Sequence, residues 1–278
     1  MHIWRYQSGE PPREAADELA EEEPLEIRVA GRGVSITMRT PGHDAELAAG
    51  FLLTEGLLRS RADLLGVEPC AHAGTGNVVN VNLSPDAKVD FAQLTRHVFT
   101  SSSCGLCGKV SIDAVFQRFE PVPSGDGVVV PVDTLLSLPN RLADAQPTFR
   151  RTGGIHAAAV FTAAGELVVA REDVGRHNAV DKVLGYGLLR GDLPYDRHVL
   201  LVSGRASFEI VQKALAARVP VIAAVSAPST LAAEFAEQSG QTLVGFLREG
   251  RLNVYANPQR VQFPERVIPD PPSSAGKR

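Results

Sequence analysis

The sequence predicts a two-domain α+β protein, and three features of the pattern support this. Short runs near the amino terminus, such as Leu25–Val29 and Val34–Met38, alternate apolar and polar residues as half-buried strands do. The carboxyl-terminal part alternates near-continuous apolar strands with helices, which is typical of a sheet buried on both faces. A loop rich in serine and glycine, which contains a Cys-x-x-Cys motif, separates the two parts.

Composition narrows the class of protein further. The chain has 278 residues, of which 44% are hydrophobic and 22% charged, which suits one large or two ordinary globular domains. The net charge of −4 does not favour binding to nucleic acid or to anionic membranes. No apolar run approaches the roughly 18 residues of a membrane span, and no secretory signal is visible. Three cysteines, an odd number, fit a reducing cytoplasm better than a disulfide framework.

The first domain is predicted to be small. Residues 1–20 are polar and acidic, so we expect a flexible lead-in. Residues 21–100 then form a small α+β unit that contains the two alternating runs as a hairpin. Asp44 is expected to cap a helix that runs from about Ala45 to Leu58, and a further strand is expected from Asn77 to Leu83.

Residues 101–150 are predicted to hold the cysteine loop and a connector, with a helix from Asp133 to Leu142. Residues 151–262 form the second domain, and residues 263–278 a flexible tail. The second domain has apolar runs that predict strands, at Ile155–Phe161, Leu167–Ala170, Val199–Val202, Val219–Val225, Thr242–Phe246 and Leu252–Tyr255. Helices follow several of these strands, and Asp173, Ser207 and Ser229 are placed to cap three of them.

The cysteine motif lies in the segment Ser101–Lys109. Gly105 and Gly108, one after each cysteine, leave the backbone free to bend and leave the sulfurs of Cys104 and Cys107 uncovered. Cys107 lies near a predicted helix start, where free N–H groups favour a thiolate. The pattern fits a thiol–disulfide pair, half of a zinc site, a thiolate that carries sulfur, or two ordinary thiols. Without a partner, this loop is expected to be poorly ordered.

Two loops at predicted strand ends have chemistry suited to phosphate. Ser203–Ser207 and Ser226–Thr230 each follow an apolar strand and open a helix, where α/β sheets bind ligands. They offer hydroxyls, free N–H groups and the cation of Arg205. Ordinary capping of the helices by serine is the alternative explanation for both loops.

Charged residues and histidines form two more candidates. The segment Arg171–Lys182 has seven ionisable residues in twelve, with His177 and Asp181 four apart on a predicted helix and able to touch; a solvated helix face is the alternative. His156 suggests zinc when it is combined with the cysteine pair, although a lone histidine is more often structural. A nucleobase deaminase requires His-x-Glu, and residue 158 is alanine, so deaminase chemistry is poorly supported.

Five separated motifs together resemble the FdhD family, over the range from about Glu23 to Pro258. They are Cys104–Gly108, Thr152–Ala159, Arg171–Lys182, Ser203–Glu209 and Thr242–Arg251. The resemblance implies a sulfur carrier, a sulfurtransferase, that is required for formate dehydrogenase activity. It takes sulfur from a cysteine desulfurase as a persulfide and passes it to the molybdenum cofactor, bis-molybdopterin guanine dinucleotide. It also implies a cytidine-deaminase-like carboxyl domain without zinc chemistry, no metal of its own, and a homodimer.

The resemblance also implies roles for particular residues. The persulfide falls on Cys104, with Cys107 as the second cysteine of the motif. The cofactor-binding segment falls on Phe246, Leu247, Arg248, Glu249, Gly250 and Arg251, and guanine nucleotides are expected to mimic the cofactor there. From the residues alone, this segment is a hairpin with a Glu-Gly turn. Two rival functions are a zinc-dependent deaminase-like hydrolase that uses both cysteines and His156, and a non-catalytic chaperone of the cofactor.

Overall fold

The structure is a computed structural model that describes residues 1–70, 76–87, 115–116, 118–123 and 127–264. The cysteine loop at 101–109 and residues 265–278 of the tail lie outside the described residues. The expected flexibility of both segments therefore stays a prediction.

The chain begins with a two-stranded hairpin where the sequence predicts a lead-in without regular structure. Strand β1 (His2–Arg5) pairs antiparallel with β2 (Arg13–Ala16). Nearly all its residues are exposed, including Trp4. The hairpin was missed because strands with no buried face lack the apolar alternation that predicts a strand.

Among its described residues, the first domain has a four-stranded sheet and one α-helix, and the predicted hairpin, helix and third strand are all present. The sheet has the order β4-β3-β6-β5, with strands β3 (Glu23–Val29), β4 (Arg32–Arg39), β5 (Leu64–Pro69) and β6 (Val78–Leu83). Strand β5 was not predicted, because Gly66 and Pro69 interrupt its pattern. Helix α1 (Asp44–Thr54) ends before the predicted Leu58, since the chain turns at Gly56 with φ +74°.

The predicted cap of helix α1 is wrong. The N-cap is His43, which has a left-handed backbone and makes no capping bond with its side chain. Asp44 is the first helical residue, and its carboxylate instead binds the guanidinium of Arg39 through two bonds of 2.9 and 3.0 Å. Arg39 is only 2% exposed. The Asp44 carboxylate therefore neutralises a buried cation and does not cap the helix.

The second domain is a six-stranded mixed sheet with helices on both faces. Its order is β13-β12-β11-β10-β8-β9, and β10–β11 and β11–β12 are its two parallel pairs, the other neighbours being antiparallel. The strands are β8 (His156–Thr162), β9 (Leu167–Asp173), β10 (His198–Val202), β11 (Val221–Ala224), β12 (Thr242–Arg248) and β13 (Arg251–Ala256). Burial of both faces agrees with the apolar runs from which the strands were predicted.

Helices cover the two faces of this sheet unequally. Helices α4 (Arg176–Arg190), α5 (Phe208–Ala216) and α6 (Thr230–Gln238) belong to the core on one face. Helix α2 (Val132–Asp144), which lies in the predicted connector, packs on the other face and is followed by the short helix α3 (Pro147–Thr152). Strands β7 (Val130–Pro131) and β14 (Val261–Gln262) pair beside α2.

The two domains share one continuous apolar core, which includes the inner face of the first sheet and helices α1, α4 and α5. Helices α1 and α4 pack with Gly50 against Gly185. A Cβ on Gly50 would overlap the carbonyl oxygen of Asp181, and a Cβ on Gly185 would overlap that of Glu46. The two backbones therefore touch, and only glycine fits at either position.

Buried charges join the domains beside this contact. Lys213 of α5 donates to both carboxylate oxygens of Asp181 at 2.9 Å and to Thr54 Oγ of α1 at 2.9 Å. Arg171 binds Glu46 of α1 through two bonds of 2.6 and 2.7 Å. The predicted contact between His177 and Asp181 is therefore wrong, because Asp181 faces the interior. The alternative of a solvated face fails for Asp181 and Lys182, which are both buried.

Candidate site at the carboxyl edge of the sheet

Three loops meet at the carboxyl ends of the parallel strands, as the strand order requires. The N–H of Ser226, after β11, donates to the carbonyl of Gly204, after β10, at 3.4 Å. The N–H of Phe246, at the end of β12, donates to the carbonyl of Ser226 at 3.0 Å. The two predicted phosphate loops and the predicted cofactor segment are thus brought side by side.

The two serines predicted to cap helices behave differently. Ser229 Oγ accepts from the N–H of Ala232 at 3.2 Å, so it is an ordinary cap of α6. Ser207 is the N-cap residue of α5 but makes no capping bond with its side chain. Its hydroxyl instead lies 3.3 Å from Nε2 of His177. Capping therefore explains the serine of one loop and not that of the other.

The segment Phe246–Arg251 is a hairpin with an irregular entrance. Phe246 is half-buried and has φ +50°, and the pairing register shifts between Gly245 and Arg248. A Cβ on Gly245 would press on Pro228, which fixes the backbone there. Leu247 is buried, whereas the residues from Arg248 to Arg251 are exposed. A bulky residue in this conformation costs about 1–3 kcal/mol, and such strain concentrates at binding sites.

The first domain holds the start of α4 in place. The carboxylate of Asp173 is fully buried, pairs with Lys182 at 2.7 Å, and accepts from the N–H of Gly175 at 2.8 Å. Thr40 of the first domain donates its N–H to Asp173 at 3.2 Å, and its carbonyl accepts from Lys182 at 2.9 Å. The N-cap residue is Gly175, not Asp173 as predicted, although Asp173 does bind the first turn.

This anchored turn presents Arg176 beside the loop after β10. A Cβ on Gly204 would lie 3.4 Å from His156 Nδ1 and 3.8 Å from Arg176 Cδ, so the three residues are close together. Within the described part of the chain, the Nε of Arg176 is buried and has no hydrogen-bond partner. Sequence reasoning singled out the charged segment but did not select Arg176 within it. The sequence feature that could have identified Arg176 is its position directly after Gly175, at the start of a predicted helix.

Burial lowers the pKa of His156, and the neighbouring Arg176 and His177 lower it further. His177 Nε2 donates to the Glu209 carboxylate at 2.9 Å, and this bond lowers the pKa of the Glu209 carboxyl. His156 is therefore mainly neutral near pH 7, beside a guanidinium whose buried Nε has no partner among the described residues. This part of the edge offers cationic and hydrogen-bonding groups that suit an anion.

A cavity of about 510 Å³ opens next to His156, between α2, α3 and the sheet. Its walls are largely apolar, with Leu142 and Ile155 buried behind them. Its polar groups are the side chains of Gln146, His156 and Ser203. Gln146 precedes Pro147 in an unremarkable sequence, so no sequence signal identified it.

The rival zinc site cannot be assembled from the described residues. Among them, no group of three or more His, Cys, Asp or Glu side chains is close enough to hold a metal ion. Cys104 and Cys107 lie outside the described residues, so their distance to His156 stays untested. Cys70 has a free, half-buried thiol. No helix in the described ranges is long and apolar enough to span a membrane.

Fold and site together define an α+β protein with a candidate ligand-binding edge on the sheet of its second domain. Residues 20–262 match the family model of the FdhD/NarQ family, and the chain belongs to that family. It is 55% identical to the sulfur carrier protein FdhD of Streptomyces coelicolor over 251 residues, which cover 88% of this chain and 89% of the relative. It is 52% identical to the protein of that name from Mycobacterium tuberculosis, over 87% and 91% of the two chains.

A solved structure shares the fold. The crystal structure of a protein assigned as a formate dehydrogenase accessory protein from Desulfotalea psychrophila matches with a TM-score of 0.75 and 25% identity. The match covers 94% of this chain and 98% of the other. This chain therefore shares the fold of that protein over nearly the whole length of both.

Proposed function

We propose that this protein is a sulfur carrier that accepts sulfur from a cysteine desulfurase as a persulfide on Cys104. It then transfers the sulfur to molybdenum bis-molybdopterin guanine dinucleotide, which it binds as a substrate, and thereby activates a formate dehydrogenase. The observation that carries the proposal is the convergence of the family motifs. Arg171–Lys182, Ser203–Glu209 and Thr242–Arg251 are far apart in sequence, yet they meet at one edge of one sheet.

The chemistry of the site supports this function. Phosphate groups of the cofactor suit the cations of Arg176, Arg248 and Arg251, and Phe246 supplies an aromatic face for a guanine or pterin ring. A thiolate near a helix start both accepts and releases sulfane sulfur readily. The order β9-β8-β10-β11-β12, with helices between the later strands, supports the cytidine-deaminase-like fold that the resemblance implies. A cytoplasmic homodimer completes the proposal.

Incubation with a cysteine desulfurase and cysteine is expected to add one or more sulfur atoms to Cys104, removable by a reductant. Intact-mass analysis followed by peptide mapping measures this. Cys104→Ala should lose the added mass, whereas Cys70→Ala, which removes a thiol outside the motif, should retain it. Sulfur found only on Cys70 contradicts the proposal. A Cys104→Ala variant that still activates the dehydrogenase favours the non-catalytic chaperone.

Guanine nucleotides are expected to stabilise the protein more than adenine nucleotides, because GDP carries the guanine end of the cofactor. A ligand that binds only the folded state raises the melting temperature as its concentration rises. Arg251→Ala should weaken GDP binding by on the order of 1–3 kcal/mol, the usual worth of a charged hydrogen bond. Arg190→Ala, which removes an exposed arginine on α4, is the matched control. Equal shifts with GDP and ADP, or an unchanged shift in Arg251→Ala, place the nucleotide elsewhere.

A further inference from the structure

Three polar side chains line the cavity beside His156, namely Gln146, His156 itself and Ser203. Each has at least one donor or acceptor group without a hydrogen-bond partner among the described residues. Gln146 is only 7% exposed as a residue, and its side-chain amide has no hydrogen bond to another described residue, which leaves it available at the cavity. The ring of His156 likewise makes none there. Ser203 Oγ accepts from the N–H of Ala157 at 2.9 Å, which leaves its own hydrogen to donate. Gln146 is buried and the other two are half-buried, and all three line the cavity, so their unpaired groups are open to a ligand there.

The kind of ligand follows from the lining of the cavity. None of its described lining residues is a carboxylate, a lysine or an arginine, so the ligand part that fits is uncharged. The amide offers a donor and an acceptor, the mainly neutral imidazole offers one of each, and the hydroxyl a donor. The walls are apolar, and Phe149, which is 46% exposed, adds an aromatic ring that a flat molecule can stack on.

A volume of about 510 Å³ is within the range of roughly 300–1,000 Å³ that small-molecule sites have. A flat bicyclic heterocycle with an amide edge satisfies these conditions. Both the pterin ring and the guanine ring of the proposed substrate have such an edge. The two rings are distinguished by where they would bind on the sheet. Phe246 lies on β12 and His156 on β8, three strand spacings or about 14 Å away.

We infer that this cavity binds the pterin end of the cofactor, through Gln146, His156 and Ser203, while the guanine end lies at Phe246–Arg251. The inference rests on the proposed function, because it takes the substrate from there. Arg176, which is close to His156 and to Gly204 in the loop after β10, is then beside the phosphates that join the two ends. Gln146 is a specificity-determining residue on this view, since its amide matches the amide edge of the ring.

The test uses the full-length protein and 6-hydroxymethylpterin, whose fluorescence reports binding. We expect the pterin to bind the wild type, and Gln146→Met to weaken binding about tenfold, the effect of losing one to two hydrogen bonds. Gln238→Met, at the exposed end of α6, is the matched control and should bind like the wild type. Phe149→Ala, which removes an exposed ring, should also weaken binding, and it tests the cavity even if Gln146→Met does not fold.

Measuring pterin affinity in saturating GDP shows whether the cavity binds the pterin ring or the guanine ring. If the cavity holds pterin, the pterin affinity is unchanged by GDP; competitive displacement would mean that the cavity holds guanine and would overturn the inference. Absence of pterin binding, or equal affinities for Gln146→Met and Gln238→Met, overturns it as well. Sulfur loading of Cys104 is measured in parallel. If loading is intact and pterin does not bind, only this inference fails; if Cys104 takes no sulfur, the proposed function fails.

Discussion

Replacing Gly185 by alanine is expected to destabilise the protein by about 3 kcal/mol or more, an unusually large effect for one methyl group. Gly185 lies within helix α4, where helix propensity alone would favour alanine by about 1 kcal/mol. Packing reverses the sign, because the new Cβ would overlap the carbonyl oxygen of Glu46 and crowd the N–H of Gly50. Both obstacles are backbone atoms of α1, so no side chain can rotate away.

Urea denaturation of Gly185→Ala and Gly50→Ala measures the loss of unfolding free energy. Gly66→Ala serves as the control, because a Cβ at that position meets nothing within 4 Å and its φ is not positive. It is expected to change stability by about 0.5 kcal/mol or less. A Gly185→Ala variant as stable as the control would mean that the helices do not touch as described.

The strands and helices could be predicted better than the site, because an element depends on a local pattern and the site depends on contacts between distant residues. Each strand of the second domain was predicted from its own apolar run, which is local information. Asp181 and Lys182, by contrast, lie on a helix with a polar sequence. They are buried because partners from other segments neutralise their charges. Lys213 is 32 residues beyond Asp181, and Thr40 is 142 residues before Lys182. No local pattern shows such pairings.

The same reasoning applies to the candidate site. The loops at Ser203–Ser207 and Ser226–Thr230 were selected because each follows an apolar strand and carries hydroxyl side chains at a helix start. Gln146 was not predicted, because a glutamine before a proline is common and only the position of α3 brings it to the cavity. Ser207 was expected to cap a helix and contacts His177 instead, since the start of α4 comes close to that of α5. Tertiary proximity thus changed the role of a residue whose position was predicted correctly.

Anchoring by the first domain connects stability to function. Thr40 binds Asp173 and Lys182, and Asp173 in turn binds the turn that presents Arg176 and His177. The first domain contributes no residue to the cavity lining among the described residues. It contributes to the site by fixing the position of α4. A change that loosens the helix contact should therefore weaken nucleotide binding as well as stability.

Breaking the buried pair between Lys213 and Asp181 is the second change with a large expected effect. The Lys213 side chain is 10% exposed and that of Asp181 is 4% exposed. Lys213→Met leaves the Asp181 carboxylate buried with only the hydroxyl of Thr54, which should cost about 3–5 kcal/mol. Arg190→Met breaks the exposed pair with Asp192 and should cost less than about 1 kcal/mol.

A double-mutant cycle and a pH series make this prediction specific. Asp181→Leu combined with Lys213→Met removes both charges, so the double variant should be more stable than Lys213→Met alone.

Burial by itself would lower the pKa of Lys213, but Asp181 and Glu55 outweigh it and raise the pKa above its usual value. The stabilisation is therefore fully present at neutral pH and is lost only as pH rises above about 10.4 and through the raised pKa. Urea denaturation from pH 7 to 11 should show a steeper alkaline loss in the wild type than in the double variant. Equal slopes, or a double variant no more stable than Lys213→Met, would show that the pair does not join the domains as described.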